Sequence, residues 1–334
     1  MARRIRVVQV GLGPIGCAVA KLAASRSGIE LVAALDIDPQ KIGRDLGEFL
    51  GLGKLGIPVS GDLAAVVRSA RPELAYHTTG SHLRKGVFAE LQNLVRQGLH
   101  VLSTCEELSY PFRAEPQLSA ELDELARKHK VAVLATGINP GFLMDTWPLA
   151  MTAVCQEVQS IRVVRIQDAT SRRLPFQLKI GAGLSREAFA EKVAQGTLRH
   201  VGLTESIALL AAGLGWELTE VSETIEPVMA DRLLKTPFLE VQPGQAAGVR
   251  QVGRGLRQGS ELITLEFLAA VGASSPHDAV HISGVPNLDV VIQGGTHGDL
   301  GTAAMVVNTT ARLVNASCGL LTMKDIPLVT WTAV

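Results

Sequence analysis

Two adjacent carboxylates, Glu106 and Glu107, stand in "STCEELSYP" just past an apolar run, with Cys105 before them. A fixed negative charge there suits one chemistry in particular. Hydride transfer to a C=N bond passes through an iminium cation, which a neighbouring carboxylate stabilises electrostatically. The same group can shuttle protons while ammonia adds to a carbonyl and water leaves. Reduction of a carbonyl to an alcohol asks instead for a His, Lys or Tyr donor beside the developing alkoxide, and this turn offers acids. Adjacent residues leaving a strand point in different directions. One acid would then serve the chemistry while the other caps or braces the turn, and spacing alone does not choose between them.

A second constellation is "GLGPIG", which sets Gly11, Gly13 and Gly16 at the G-x-G-x-x-G spacing with Pro14 and Ile15 between them. The motif is informative because of its surroundings. It follows a strand-like run, opens a helical pattern, and has an acid, Asp36, at the end of the next strand. Glycines there allow a tight turn and close approach of backbone to a pyrophosphate, with the helix N-terminus aimed at the phosphates. Asp36 would accept hydrogen bonds from the adenosine ribose hydroxyls, which favours NAD. Lys41 and Arg44 lie just beyond and would neutralise a 2′-phosphate if the loop folds back, which keeps NADP open. "HTTGSH" follows a later strand, and its Thr78, Thr79 and Gly80 take the place in the order that touches the nicotinamide side.

These groups need a scaffold, and the pattern supplies one. Ile5–Val10, "IELVAALD", "ELAYHTTG", "HVLST" and "VAVLATG" read as strands. Between them lie helices at Pro14–Arg26, Leu63–Ser69, "KGVFAELQNLVRQG" and "AEPQLSAELDELARKHK". Strand–helix alternation with short connections predicts a doubly wound parallel sheet, an α/β Rossmann domain over residues 1–145. Ligands of such sheets bind at the carboxyl ends of the strands, where both constellations fall. From Thr146 the texture changes. A helix to about Glu157 leads into the alternating "SIRVVRIQD", then two helices, then strand-like "GVRQVGRGL", "SELITLEFL" and "AVHISG". This predicts a second α+β domain, mainly antiparallel, over 146–299, with 300–334 returning to the first domain.

Pocket candidates follow from position. Phe142, Met144 and Trp147 in "NPGFLMDTW" would wall an apolar pocket, and Cys105 sits beside the acids. Arg165 and Gln167 share one face of an alternating strand, and Thr302 opens a helix after a glycine-rich turn. The chain has 334 residues, with Lys plus Arg at 32 and Asp plus Glu at 32. That balance argues against a nucleic-acid binder, and no apolar run approaches the roughly 20 residues of a membrane span. Cys17, Cys105, Cys155 and Cys318 lie far apart with no Cys/His cluster at metal spacing, which suits a reduced, cytoplasmic setting and no metal.

Taken together, "CEELSYP", "ATGINPGFLMDT", "GLSREAFAEKVAQGTLRHVGLTESIALLAAGLGW", "ETIEPV" and "DLGTAAMVVN…GLLTMKDIP" resemble the 2,4-diaminopentanoate dehydrogenases. They also resemble the related amine dehydrogenases that reductively aminate carbonyls lacking a neighbouring carboxylate. The resemblance runs in order along nearly the whole chain. It implies a Rossmann domain joined to an α+β domain like that of dihydrodipicolinate reductase, usually as a homodimer. It also implies that a glutamate of the acidic turn is the catalytic carboxylate: Glu106, the first acid past the strand, with Glu107 the alternative. The chain departs from the diaminopentanoate pattern where "IQDATSRRLPF" replaces "VNDLSPFGP", with Gln167 in the asparagine's place and Arg172–Arg173 inserted nearby. The "HPQQ" segment has no counterpart. Both departures favour the amine dehydrogenase branch and a less polar substrate.

Overall fold

The structure is a computed structural model that describes residues 4–332. Two compact units emerge, one taking the chain up to Phe142 and again from His297, the other Leu143–Thr296.

The first unit begins with β1 (Ile5–Val10), α1 (Pro14–Ala24), β2 (Ile29–Leu35), α2 (Leu46–Leu50), β3 (Val59–Ser60) and α3 (Leu63–Ala70). It continues with β4 (Leu74–His77), α4 (Phe88–Arg96), β5 (His100–Ser103), α5 (Pro116–Lys128) and β6 (Ala132–Ala135). Strands β4 and β6 are buried along their whole length, as apolar runs without alternation should be. Helix starts carry their own signals: Asp62 accepts the Ala65 N–H at 2.9 Å, and proline occupies the first turn of α1 and α5. Helix α4 starts later than its sequence pattern predicts. Lys85 (ψ 40°) and Gly86 (φ +97°) leave helical geometry, so the chain kinks there and α4 begins only at Phe88.

The second unit runs α6 (Thr146–Met151), β7 (Glu157–Asp168), α7 (Leu174–Lys179), α8 (Arg186–Ala194) and α9 (Leu203–Leu214). Then come β8 (Glu220–Met229), β9 (Leu234–Lys235), β10 (Glu240–Val241), β11 (Ala246–Arg257), β12 (Ser260–Ala270), β13 (His277–Val285) and β14 (Leu288–Gln293). Six of these strands form one sheet in the order β14-β13-β7-β12-β11-β8. It is mixed, because β7 and β12 run parallel while the other neighbours run antiparallel. Helix α9 lies close on β11. A Cβ at Gly253 or Gly255 would come within 2.9 or 2.8 Å of Ile207.

The chain then re-enters the first unit as α10 (Gly298–Val314) and β15 (Gly319–Leu321). Its sheet reads β15-β6-β5-β4-β1-β2-β3, every pair parallel. Helix α10 packs beside α1, and the buried Tyr76 hydroxyl joins Thr310 Oγ1 at 2.6 Å. Strand order reverses between β1 and β4. The crevice outside their carboxyl ends is therefore where a ligand of this sheet binds.

Candidate functional site

The glycine turn leaves β1 at this reversal. Gly11 sits at φ +86°, open to glycine and strained for anything else. Gly13 is the N-cap of α1 and offers no side-chain cap, while Pro14 carries no N–H. The Ile15 and Gly16 N–H groups are therefore the free donors of that helix end. A Cβ on Gly13 would meet nothing within 4 Å, whereas one on Gly16 would lie 2.0 Å from the Gly11 carbonyl oxygen. Gly16 keeps the turn closed and Gly13 keeps it open on its outer side, a cradle that fits a pyrophosphate.

Behind the turn, the Thr78 hydroxyl is fully used. It lies 3.0 Å from both the Val10 and Gly11 carbonyl oxygens and accepts Gln9 Nε2 at 2.9 Å. Sequence position puts Thr78 on the nicotinamide side; in the structure its hydroxyl clamps the glycine turn. Thr79 is exposed but donates to Glu90 Oε2, and Gly80 follows it into the loop.

Asp36 closes the nucleotide end. Its Oδ2 accepts the Leu12 N–H at 2.7 Å and Lys41 Nζ at 2.9 Å, and its Oδ1 accepts the Asp38 N–H at 2.9 Å. Desolvation opposes ionisation, but these hydrogen bonds outweigh it and hold the carboxyl below the ordinary aspartate range. The loop does fold back, through Lys41. Arg44 does not reach Asp36: it pairs with Glu48 at 3.0 Å and lies over Phe49, on an exposed part of the loop.

The acidic turn is a short 3₁₀ helix, Glu106–Ser109, directly after β5. Its two acids have different surroundings. Glu107 Oε1 lies 2.6 Å from His82 Nδ1, its Oε2 accepts the Leu83 N–H at 2.7 Å, and its own N–H reaches the Ser81 carbonyl at 3.3 Å. Glu106 anchors the turn only through its backbone carbonyl, which accepts the Ser109 hydroxyl at 2.7 Å. Among the described residues nothing bonds to its half-buried carboxylate.

Several pocket expectations need correction. Cys105 is 1% exposed and packs in the core with Leu108, Leu122 and Ala135, and burial pushes its thiol strongly up. It walls nothing. Met144 is likewise closed to solvent. Arg165 is buried and spent, with Nη1 on Asp278 Oδ1 and Nη2 on the Thr296 carbonyl, both at 2.9 Å. Asp278 Oδ2 accepts the Thr296 N–H at 2.7 Å, and Gln167 adds a 3.2 Å bond to the same Thr296 carbonyl. This group fixes one peptide instead of offering a cation to a ligand. Phe142, Trp147 and Thr302 stay partly exposed, with Thr302 Oγ1 accepting the Ile138 N–H at 3.3 Å. His200 stacks on Phe267, and burial together with Lys179 and Arg165 pushes it down to about 3. It is a neutral ring at working pH.

One residue escaped the sequence reading. Asn139 follows β6 at the carboxyl edge of the sheet, and both its amide nitrogen and its amide oxygen are buried with no partner. Buried amides are normally paired. A donor and an acceptor left open together at a sheet edge make Asn139 a candidate ligand contact. The signal in the sequence was an Asn-Pro pair straight after a buried strand.

A parallel sheet with an uncapped glycine turn at its switch point defines a dinucleotide-binding domain of the NAD(P) type. Comparison with known proteins narrows the class. The family model for the 2,4-diaminopentanoate dehydrogenase C-terminal domain matches residues 142–333, and that for the dihydrodipicolinate reductase N-terminus matches residues 5–75. The 2,4-diaminopentanoate dehydrogenase of Acetoanaerobium sticklandii is 31% identical over 97% of this chain and 94% of its own. An amine dehydrogenase of Streptomyces virginiae is 24% identical over 97% and 96%. The solved amine dehydrogenase of Mycobacterium smegmatis superposes with a TM-score of 0.87 at 23% identity over 98% of both chains. The chain belongs to the 2,4-diaminopentanoate and amine dehydrogenase family, NAD(P)-dependent oxidoreductases acting on CH–NH₂ groups. Among the described residues no helix is long and apolar enough to cross a membrane, and no cluster of His, Cys, Asp and Glu could hold a metal ion.

Proposed function

We propose that the protein is an amine dehydrogenase: ketone or aldehyde, ammonia, NAD(P)H and a proton give primary amine, NAD(P)⁺ and water, and the reverse. One observation carries this reading. At the carboxyl edge of a nucleotide-binding sheet, Glu107 is consumed by His82 and Leu83 while the neighbouring Glu106 carboxylate has no partner among the described residues. The cofactor, when bound, supplies or takes up the hydride. Gly11, Gly13 and the α1 N-terminus would hold its phosphates, Asp36 its ribose, and the Asn139 amide its carboxamide. Glu106 takes a proton from ammonia as it adds to the carbonyl and returns it to the departing hydroxyl. It then faces the iminium as a fixed charge.

Diaminopentanoate oxidation is the second reading, favoured by the relative at 31% identity. Against it, Arg165 cannot grip a substrate carboxylate while it is committed to Asp278 and Thr296. Consumption of NAD(P)H with ammonia and a panel of simple ketones is the test, run beside NAD(P)⁺ reduction with 2,4-diaminopentanoate. Activity confined to the diamino acid would replace the first reading with the second.

Cofactor preference follows from Lys41. With its charge beside Asp36, a 2′-phosphate is not repelled, so both NAD and NADP are accepted, with Asp36 tilting the balance toward NAD. Lys41→Ala removes the cation and leaves Asp36 uncompensated, and both changes penalise the phosphate. The KM for NADPH should rise about tenfold more than that for NADH. An unchanged ratio would assign the discrimination elsewhere.

The working unit is a homodimer built on the sheet of the second unit. On one of its faces Arg162, Arg250, Glu226 and Glu266 form a linked charge network, with Leu268 and Ile166 partly exposed beside it. Sedimentation should give twice the chain mass, and Leu268→Arg should halve it. A monomeric wild type would rule the dimer out.

A further inference from the structure

Beneath the acidic turn lies a buried polar chain that the proposed chemistry does not use directly. His77 closes β4 and is wholly shut from solvent. Its Nδ1 lies 2.9 Å from Ser103 Oγ at the end of β5. Its Nε2 lies 2.9 Å from Glu90 Oε2 on α4 and 2.8 Å from Thr79 Oγ1. Ser103 Oγ in turn accepts the peptide N–H of Cys105 at 3.0 Å.

The fixed ends of this chain set the donor roles. A carboxylate only accepts, so Nε2 carries the ring proton and donates to Glu90. The Cys105 N–H only donates, which leaves the Ser103 hydroxyl proton for Nδ1. A neutral imidazole thus satisfies every link.

His77 and Ser103 are buried polar side chains, costly unless fully paired, and here they are paired toward one point. That point is the peptide N–H of the residue preceding Glu106. A peptide N–H does not pass protons on, so the chain cannot feed protons to the carboxylate. What it can do is fix the backbone from which Glu106 departs. The Thr104 N–H on the His77 carbonyl, at 3.0 Å, ties the same two segments together.

We infer that His77, acting through Ser103, is a positioning residue for the Glu106 carboxylate. This rests on the catalytic role proposed for Glu106. Ser103→Ala should lower kcat for amination about 10- to 100-fold, the scale set by small misplacements of a reacting group. The KM for NADH should stay near that of the wild type, while the thermal midpoint falls because His77 Nδ1 and the Cys105 N–H lose their buried partner. The His77 pair adds a discriminating measurement that also decides the matter if Ser103→Ala folds poorly. In His77→Asn the amide oxygen stands where Nδ1 stood and still accepts the Ser103 hydroxyl. In His77→Gln the amide reaches only the Nε2 end. Asn should therefore retain more activity than Gln, and the reverse order would overturn the inference. In a Glu106→Gln background Ser103→Ala should cost nothing more, and a further additive loss would also overturn it. If Glu106→Gln is as active as wild type, the catalytic reading fails and the positioning role with it. If Glu106→Gln is inactive and Ser103→Ala fully active, only the positioning role fails.

Discussion

Glu106→Gln is expected to lower turnover about 10²- to 10³-fold while leaving the dissociation constant for NADH unchanged. The substitution keeps shape and removes only the charge and the proton-accepting oxygen. A full charge about 4 Å from a cation, at an effective dielectric near 20, is worth ~4 kcal/mol, or about 10³ in rate. No hydrogen bond to that carboxylate is present to be broken, so the fold should not register the change. Glu107→Gln makes the contrast. An amide still offers one oxygen to the Leu83 N–H, but its NH₂ group cannot accept the Nδ1–H bond that the carboxylate takes from His82. A modest loss of stability and only a few-fold loss of turnover follow. Steady-state kinetics of the two variants, with NADH titrations by fluorescence, separate the roles. An inactive Glu107→Gln beside an active Glu106→Gln would exchange them.

The parts of this molecule legible in its sequence share a physical trait: their signal is local. Strands β1, β4 and β6 are buried on both faces and so read as apolar runs. The glycine turn announces itself by spacing and by the strand and helix on either side. The edge strand β14 escaped, because its apolar Val290–Ile292 run is only three residues long, shows no alternation and is mostly exposed. So did the fate of individual side chains. Arg165 and Gln167 were correctly placed on one face of β7, yet their partners Asp278 and Thr296 come from more than a hundred residues away. Cys105 stands beside two acids in sequence but points into the core, since successive residues at a strand end diverge. The difference between Glu106 and Glu107 depends on His82 and Leu83, brought in by the loop after β4. Type and spacing put two carboxylates at the carboxyl edge of the sheet. Only the tertiary partners show which of the two is left open.

The glycine turn supplies the other large effect, and its two variants should fail for different reasons. At Gly16 an added Cβ would lie 2.0 Å from the Gly11 carbonyl oxygen and 2.6 Å from Thr78 Oγ1. The first is backbone in a turn already held at φ +86°, so it cannot yield without opening the turn. Gly16→Ala should therefore destabilise the protein itself by about 3 kcal/mol or more, the upper end for overpacking, and lower the thermal midpoint with no nucleotide present. Gly13 has φ −74° and open space around its absent Cβ. Gly13→Ala should leave the ligand-free thermal midpoint within a degree or two of the wild type. A Cβ there stands on the outer side of the cradle, where a pyrophosphate must approach the backbone. NADH affinity should consequently fall at least tenfold, and the rise in thermal midpoint that NADH confers on the wild type should shrink by about half or more at the same NADH concentration. Thermal melts of each variant with and without NADH read both predictions at once. If Gly13→Ala is stabilised by NADH as much as the wild type, the pyrophosphate does not sit against this turn, and the cofactor placement proposed for the first unit is wrong.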